Sequence, residues 1–179
     1  MSLLRAARIH GFGPPATIKL EELDFPIAGP GEVLVKMEAA GVGNWDAWVR
    51  DGRSWLAHSL PLTLGAEVAG TIASLGQGAP LRFAVGECVY GATNSLFTGG
   101  YADYVVCSSD MLATRPEGLT SAEAATLPVA GVTAWQMVVE RAEVATGQTV
   151  VVRGAAGNVG AFAAQIFVQL VPYKVHCTA

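Results

Sequence analysis

The sequence predicts an α/β protein in two parts, a β-rich first part followed by the opening of a doubly wound parallel sheet. Three observations carry this expectation. Short alternating or β-branched runs punctuated by glycine turns fill the first hundred residues. A capping box opens a helical stretch at Thr120. Residues Thr149 to Gly160, Thr-Val-Val-Val-Arg-Gly-Ala-Ala-Gly-Asn-Val-Gly, then read as a strand running into a glycine turn that starts a helix.

Along the chain, Pro30-Gly31 starts a strand in which Val33, Val35, Met37 and Ala39 alternate with Leu34, Lys36 and Glu38, so one face is apolar and the other mixed. Further β-like runs lie at Val68 to Leu75, Glu87 to Tyr90 and Tyr101 to Cys107. Gly76-Gln77-Gly78, Gly91 and Gly99-Gly100 separate them, a spacing suited to a small barrel or sandwich.

The character changes at Pro116-Glu117-Gly118. In Thr120-Ser121-Ala122-Glu123 the threonine hydroxyl and the glutamate carboxylate satisfy each other's free backbone donors, and an alanine-rich helix follows until Pro128 ends or kinks it. A second helix is expected from about Val132 to Ala142, and Thr146-Gly147 leads into the next strand. The division is placed at residue 125, with 1–125 the β-rich domain and 126–179 the linking helices and first β-α-β portion of an incomplete second domain.

Val150, Val151 and Val152 form a β-branched run without alternation, the pattern of a parallel strand covered on both faces. Gly154, Gly157 and Gly160 recur every third residue, which permits a tight turn, a close approach of backbone to phosphate, and close packing of helix on strand. With Ala156, Asn158 and Val159 they form a candidate site for the diphosphate of a dinucleotide, since the following helix aims free N–H groups and the positive end of its dipole at an anion. Gly154 to Tyr173 lacks charge, yet its glycines, Asn158, Gln165, Gln169 and Pro172 argue against a membrane span. Gln165 and Gln169 share a helical face, with Phe162, Ile166 and Phe167 supplying apolar surface for packing on a sheet. Lys174 to Cys177 is expected to be the second strand. No Asp or Glu lies between Ala161 and Ala179, so the acidic residue that binds the ribose of NAD is not in view.

Composition narrows the class. The 179 residues are 51% hydrophobic and 15% charged, as in a core-rich folded protein, and the net charge of −4 without a basic cluster gives no attraction for nucleic acid. The N-terminus lacks the apolar stretch of a secretory signal. Cys88, Cys107 and Cys177 are odd in number and far apart, which points to reduced, buried cysteines in a cytoplasmic protein. His10, His58 and His176 have no ligand partners at metal-binding spacing.

Gly-Pro-Gly-Glu-Val-Leu-Val-Lys from Gly29, Gly-Ala-Glu-Val-Ala-Gly from Gly65, Phe-Ala-Val-Gly-Glu-Cys-Val-Tyr-Gly from Phe83 and Gly-Gly-Tyr-Ala-Asp-Tyr from Gly99 together resemble the medium-chain dehydrogenase/reductase superfamily. Glu123-Ala124-Ala125-Thr126-Leu127-Pro128, Gly131-Val132-Thr133-Ala134-Trp135 and the closing glycine turn resemble its quinone oxidoreductase, or zeta-crystallin-like, branch. The resemblance implies a GroES-like β-barrel domain followed by a Rossmann domain, with NADP(H) in the cleft between them and hydride passed to a quinone or conjugated enone. Family members are longer, so the chain is expected to be C-terminally truncated.

The superfamily's zinc enzymes use a cysteine and a histidine where this chain has Gly43 and Ala66, and no Cys-x-x-Cys cluster is present, so no metal is expected. Without a Lewis acid, a conjugated acceptor that spreads the incoming charge itself is the fitting substrate. Thr133 matches a position near the nicotinamide; the competing reading is a threonine at a helix start. Asp46 and Arg50 match the family's Asp-x-x-x-Arg pattern and also read as a helical ion pair. Asn44 is a candidate for binding substrate, although the family's usual asparagine aligns with Gly43. No general acid is assigned among Tyr90, Tyr101, Tyr104 and the carboxylates, and Tyr101 and Tyr104 read as core or interface aromatics. The alternative is a catalytically silent fragment serving as an interaction module: a Rossmann portion of this size exposes an apolar edge that invites homo-oligomerisation, and it would bind NADPH weakly.

Overall fold

Val33, Val35, Val68, Ile72, Val89, Val105, Cys107 and Leu112 come from five strands and meet in one buried cluster. The computed structural model describes residues 3–79, 82–145, 147–170 and 175–178, and the chain divides into two units, Met1–Thr126 and Leu127–Ala179.

The first unit opens with an antiparallel hairpin of β1 (Leu3–Ile9) and β2 (Lys19–Asp24), with the short β4 (Leu62–Thr63) on the other edge of β1. The sequence offered no strand signal here, because Arg5-Ala6-Ala7-Arg8 is poor in β-branched residues; burial of alternate residues Leu4 and Ala6 is what selects the strand. The second sheet has the order β7 (Tyr104–Ser108), β3 (Glu32–Ala39), β5 (Glu67–Leu75), β6 (Cys88–Ala92), β8 (Leu112–Thr114), all antiparallel. Val35 sits opposite both Ile72 and Val105, which stacks three core side chains across three strands. In β3 the expected alternation breaks at its start, where Leu34 is buried along with Val33 and Val35. Between β3 and β4 lies one short helix, α1 (Asn44–Arg50).

The capping box forms as written: Glu123 N donates to Thr120 Oγ1 at 3.2 Å, and Thr120 N to Glu123 Oε2 at 2.8 Å. The helix it starts, α2 (Ser121–Ala124), lasts a single turn. Pro128 does not end a helix but begins one, α3 (Pro128–Trp135), because a proline at the first helical position forfeits no hydrogen bond. The second helix therefore starts at Pro128 rather than Val132, and it continues as a π-helical segment over Gln136–Arg141.

In the second unit β9 (Val150–Arg153) and β10 (Val175–Thr178) pair in parallel, joined by α4 (Asn158–Leu170). Thr146 and Lys174 lie outside the described residues. Ala134, Val138, Val152, Ala163 and Phe167 form the core, with Phe162 and Ile166 partly buried beside them. Val151 is 61% exposed, which corrects the expectation of a strand covered on both faces: among the described residues the helices cover the Val150 and Val152 side only. No helix among the described residues is long and apolar enough to cross a membrane.

The three cysteines are free and differ in setting. Cys107 is fully buried opposite Val33, and burial, with a smaller contribution from Glu32, pushes its thiol up to about 12. Cys177, on β10, is exposed, contrary to the expected burial. A neutral maleimide is therefore expected to label Cys177 within minutes and Cys107 only after unfolding, which mass spectrometry of the labelled peptides checks.

Candidate functional site

The glycine turn of the second unit has the geometry of an anion cradle. Gly154 adopts φ +70°, in the left-handed region that other residues adopt only with strain. Gly157 N donates to Gly154 O at 2.9 Å and closes the turn, while Ala155 N donates to Thr178 O at 3.0 Å and ties it to β10. A Cβ placed on Gly154 meets nothing within 4 Å, and one on Gly157 meets only Gly154 O at 3.3 Å, so no side chain roofs the turn. A Cβ on Gly160 would instead run into the Gly154 carbonyl and Ala155 Cα, so glycine is what lets α4 rise this close to the turn. Ala156, Gly157 and Asn158 are exposed, and the side chain of Val159 packs on the core as an anchor. The first N–H groups of α4 have no intrahelical acceptor. Open backbone, unspent donors and a positive helix end fit the diphosphate of a dinucleotide.

Thr133 lies inside α3, not at its start, and its hydroxyl donates to Val129 O at 2.6 Å. The capping alternative is thereby corrected: Pro128 takes the helix start, and Thr133 back-bonds to the preceding turn. Its oxygen retains lone pairs for a ligand's donor.

In the first unit the residues that follow β3 make a second polar site. Asp46, on the first turn of α1, is 6% exposed. Its Oδ2 accepts the Gly43 N–H at 2.8 Å and the Tyr101 hydroxyl at 3.0 Å, and Tyr101 also lies 3.3 Å from Gly41 O. Burial raises the Asp46 carboxyl above the usual aspartate range, against the opposing pull of hydrogen bonds from Gly43, Tyr101 and, more weakly, the amides of Ala66 and Gly65. Oδ1 accepts no hydrogen bond of ordinary geometry. Burial, then the charges of Asp46 and Glu67, hold the Tyr101 hydroxyl far above the ordinary tyrosine value, so it is a donor at any physiological pH.

The glycines here are forced by packing. A Cβ on Gly41 would enter the Glu67 carboxylate and the Ala125 carbonyl, and one on Gly43 would enter the Trp45 indole. The indole thus occupies the place an asparagine side chain at 43 would need. Asn44, next along, is exposed and its carboxamide makes no hydrogen bond among the described residues. Arg50 does not pair with Asp46: its Nη2 lies 2.6 Å from Asp51 Oδ1 and its Nε donates to Gly13 O at 3.0 Å, because Asp46 is turned inward to Tyr101. Sequence reading missed the Asp46–Tyr101 pair, since nothing in a local pattern joins residues 55 positions apart.

His10 bonds Glu21 at 2.6 Å, His58 bonds Ser54 at 3.1 Å, and His176 is exposed on β10. Among the described residues no group of three or more His, Cys, Asp or Glu is placed to hold a metal ion.

Comparison with known proteins follows the same lines. The alcohol dehydrogenase GroES-like domain family matches residues 29–117. Human quinone oxidoreductase is 35% identical over 165 residues, covering 92% of this chain and 49% of the relative. The chain therefore spans about half the length of the curated relatives it matches. Among solved structures, the quinone oxidoreductase from Coxiella burnetii superposes with a TM-score of 0.88 at 32% identity, covering 99% of this chain and 57% of that one. A mycobacterial protein, Rv1454c, complexed with NADPH, superposes with a TM-score of 0.85 at 31% identity, covering 98% and 52%. With a GroES-like β domain, a strand, glycine turn and helix in the expected order, and quinone oxidoreductases as its matched relatives, the chain belongs to the medium-chain dehydrogenase/reductase superfamily.

Proposed function

We propose that the chain carries the GroES-like domain and the diphosphate-binding turn of an NADPH-dependent quinone or enone oxidoreductase that works without metal. The observation that carries this reading is the unroofed turn at Gly154–Gly160, supported by relatives that are quinone oxidoreductases and by a structural neighbour complexed with NADPH. Gly154, Ala156, Gly157, Asn158, Val159 and Gly160 would cradle the diphosphate, with the Asn158, Val159 and Gly160 N–H groups at the start of α4 as donors and the Gly157 N–H kept for closing the turn on Gly154 O. The Thr133 oxygen is the candidate acceptor for a carboxamide donor of the nicotinamide. When bound, the cofactor supplies a hydride.

On the acceptor side, the Asn44 carboxamide is free to donate to a quinone carbonyl, where charge develops as hydride arrives. Gly43 and Ala66 bring no metal-binding atom, so the acceptor's own conjugation has to spread that charge. This favours quinones and enones over simple ketones. A cytoplasmic setting belongs to the same reading.

Titration with NADPH and NADH, followed by nicotinamide fluorescence, tests it, together with NADPH oxidation in the presence of a benzoquinone and of a simple ketone. Tighter binding of NADPH and turnover with the quinone alone are expected. Gly157→Asp places a carboxylate against the diphosphate and is expected to weaken NADPH binding about a hundredfold, about 2.7 kcal/mol. Unchanged affinity in that variant would remove the turn from the site.

A further inference from the structure

We infer that Tyr101 is a positioning residue: its hydroxyl, given to Asp46 Oδ2 at 3.0 Å and set 3.3 Å from Gly41 O, locks the 41–46 segment and thereby fixes where Asn44 presents its carboxamide. The inference rests on the acceptor-binding role proposed for Asn44.

The lock is centred on one carboxylate. Asp46 Oδ2 also holds the Gly43 N–H at 2.8 Å, so one oxygen gathers the start of α1 and the hydroxyl of a residue 55 positions later. Tyr101 is itself anchored, because its backbone N–H donates to Leu64 O at 2.8 Å and its ring lies where a Cβ on Gly65 would fall. The segment cannot slide to compensate, since Gly41 sits against the Glu67 carboxylate and the Ala125 carbonyl. Asn44 lies between Gly43 and Asp46, two residues held by this carboxylate, and has no hydrogen bond of its own to fix it. A rigid support under an unpaired polar head is what orients a donor toward a reacting carbonyl.

The carboxylate also makes the lock sensitive to pH. The groups facing Asp46 are the Tyr101 hydroxyl, the backbone N–H groups of Gly43, Gly65 and Ala66, and, across Tyr101, the Glu67 carboxylate of β5; Arg50 of α1 is turned away to Asp51. Burial raises the Asp46 carboxyl in the closed segment above its value in water. The closed form therefore binds the proton more tightly than the open form, so closure is favoured at low pH and is weakened as pH rises from the ordinary aspartate range to the raised value. Tyr101 stabilises the charged form and so limits this weakening.

Hydrogen exchange of the 41–46 segment, measured as protection factors across the acid-to-neutral range, tests the inference in the whole chain. In Tyr101→Phe, which keeps the ring on Gly65, protection of the segment is expected to fall about tenfold at neutral pH, while β5 and β7 keep theirs, and the loss with rising pH is expected to steepen and move to higher pH. Asp46→Asn, which keeps an acceptor oxygen and removes the charge, is expected to give pH-independent protection. In NADPH-driven quinone reduction Tyr101→Phe is expected to lower kcat/KM for the quinone about tenfold with KM for NADPH unchanged. Unchanged exchange in Tyr101→Phe, equal acceleration throughout the first unit, or an Asp46→Asn profile that still follows pH would each overturn the lock. Absence of quinone reduction in the unaltered chain would count against the functional reading, and the exchange result would still decide the lock.

Discussion

Gly160→Val is expected to destabilise the second unit by about 3 kcal/mol and to abolish NADPH binding. The new side chain would enter the space of the Gly154 carbonyl and Ala155 Cα, both backbone groups with little freedom, since Ala155 N is bonded to Thr178 O and Gly157 N to Gly154 O. Relief requires α4 to lift from the turn, and lifting it opens the contacts of Phe167 and Ala163 with Val152. A thermal melt resolving the two units, run beside an NADPH titration, checks both effects. A variant that melts as the parent does and binds normally would mean that the helix approaches the turn less closely than the structure shows.

Ile72→Ala is expected to have the opposite distribution, destabilising the first unit by about 3.5 kcal/mol while leaving the glycine turn unaffected. Ile72 is 1% exposed at the middle of β5, opposite Val35 and in the cluster with Val68, Val89 and Phe83. Truncation there leaves a cavity inside a cluster drawn from five strands, which places the cost near the middle of the range for such changes. Denaturant unfolding followed at the tryptophans of the first unit, Trp45, Trp48 and Trp55, reads it. A loss under 1 kcal/mol would show that the cluster repacks.

These two sites mark what the sequence made legible and what it left hidden. The turn was readable because Gly154, Gly157 and Gly160 lie within seven residues, and each has a local reason that spacing exposes: a left-handed φ, an open face, a close helix. The β runs from Val33 to Cys107 were readable for the same reason, since a period of two is a local signal. The hairpin of β1 and β2 was not, because Ala6 and Ala7 take their strand conformation from pairing with Leu20 and Glu21 and not from their own preference. Pro128 reads in sequence as a stop, yet proline serves equally well as the first residue of a helix, and only the surrounding chain decides between the two. The ion pair assigned to Asp46 and Arg50 failed for a related reason: helical spacing makes the pair available, but a tertiary donor, Tyr101, outcompetes it on one side and the adjacent Asp51 on the other. Tyr101 itself reads in sequence as a packing aromatic, since the role of a hydroxyl depends on what lies across from it in space.

The central claim is that a bound coenzyme's diphosphate rests on Ala156 to Gly160, and amide chemical shifts recorded while NADPH is added to saturation test it most directly. The account predicts that the Asn158, Val159 and Gly160 amides shift most and lose solvent exchange, and that Gly157→Asp suppresses the response. Saturable NADPH binding that left those amides unmoved would contradict it.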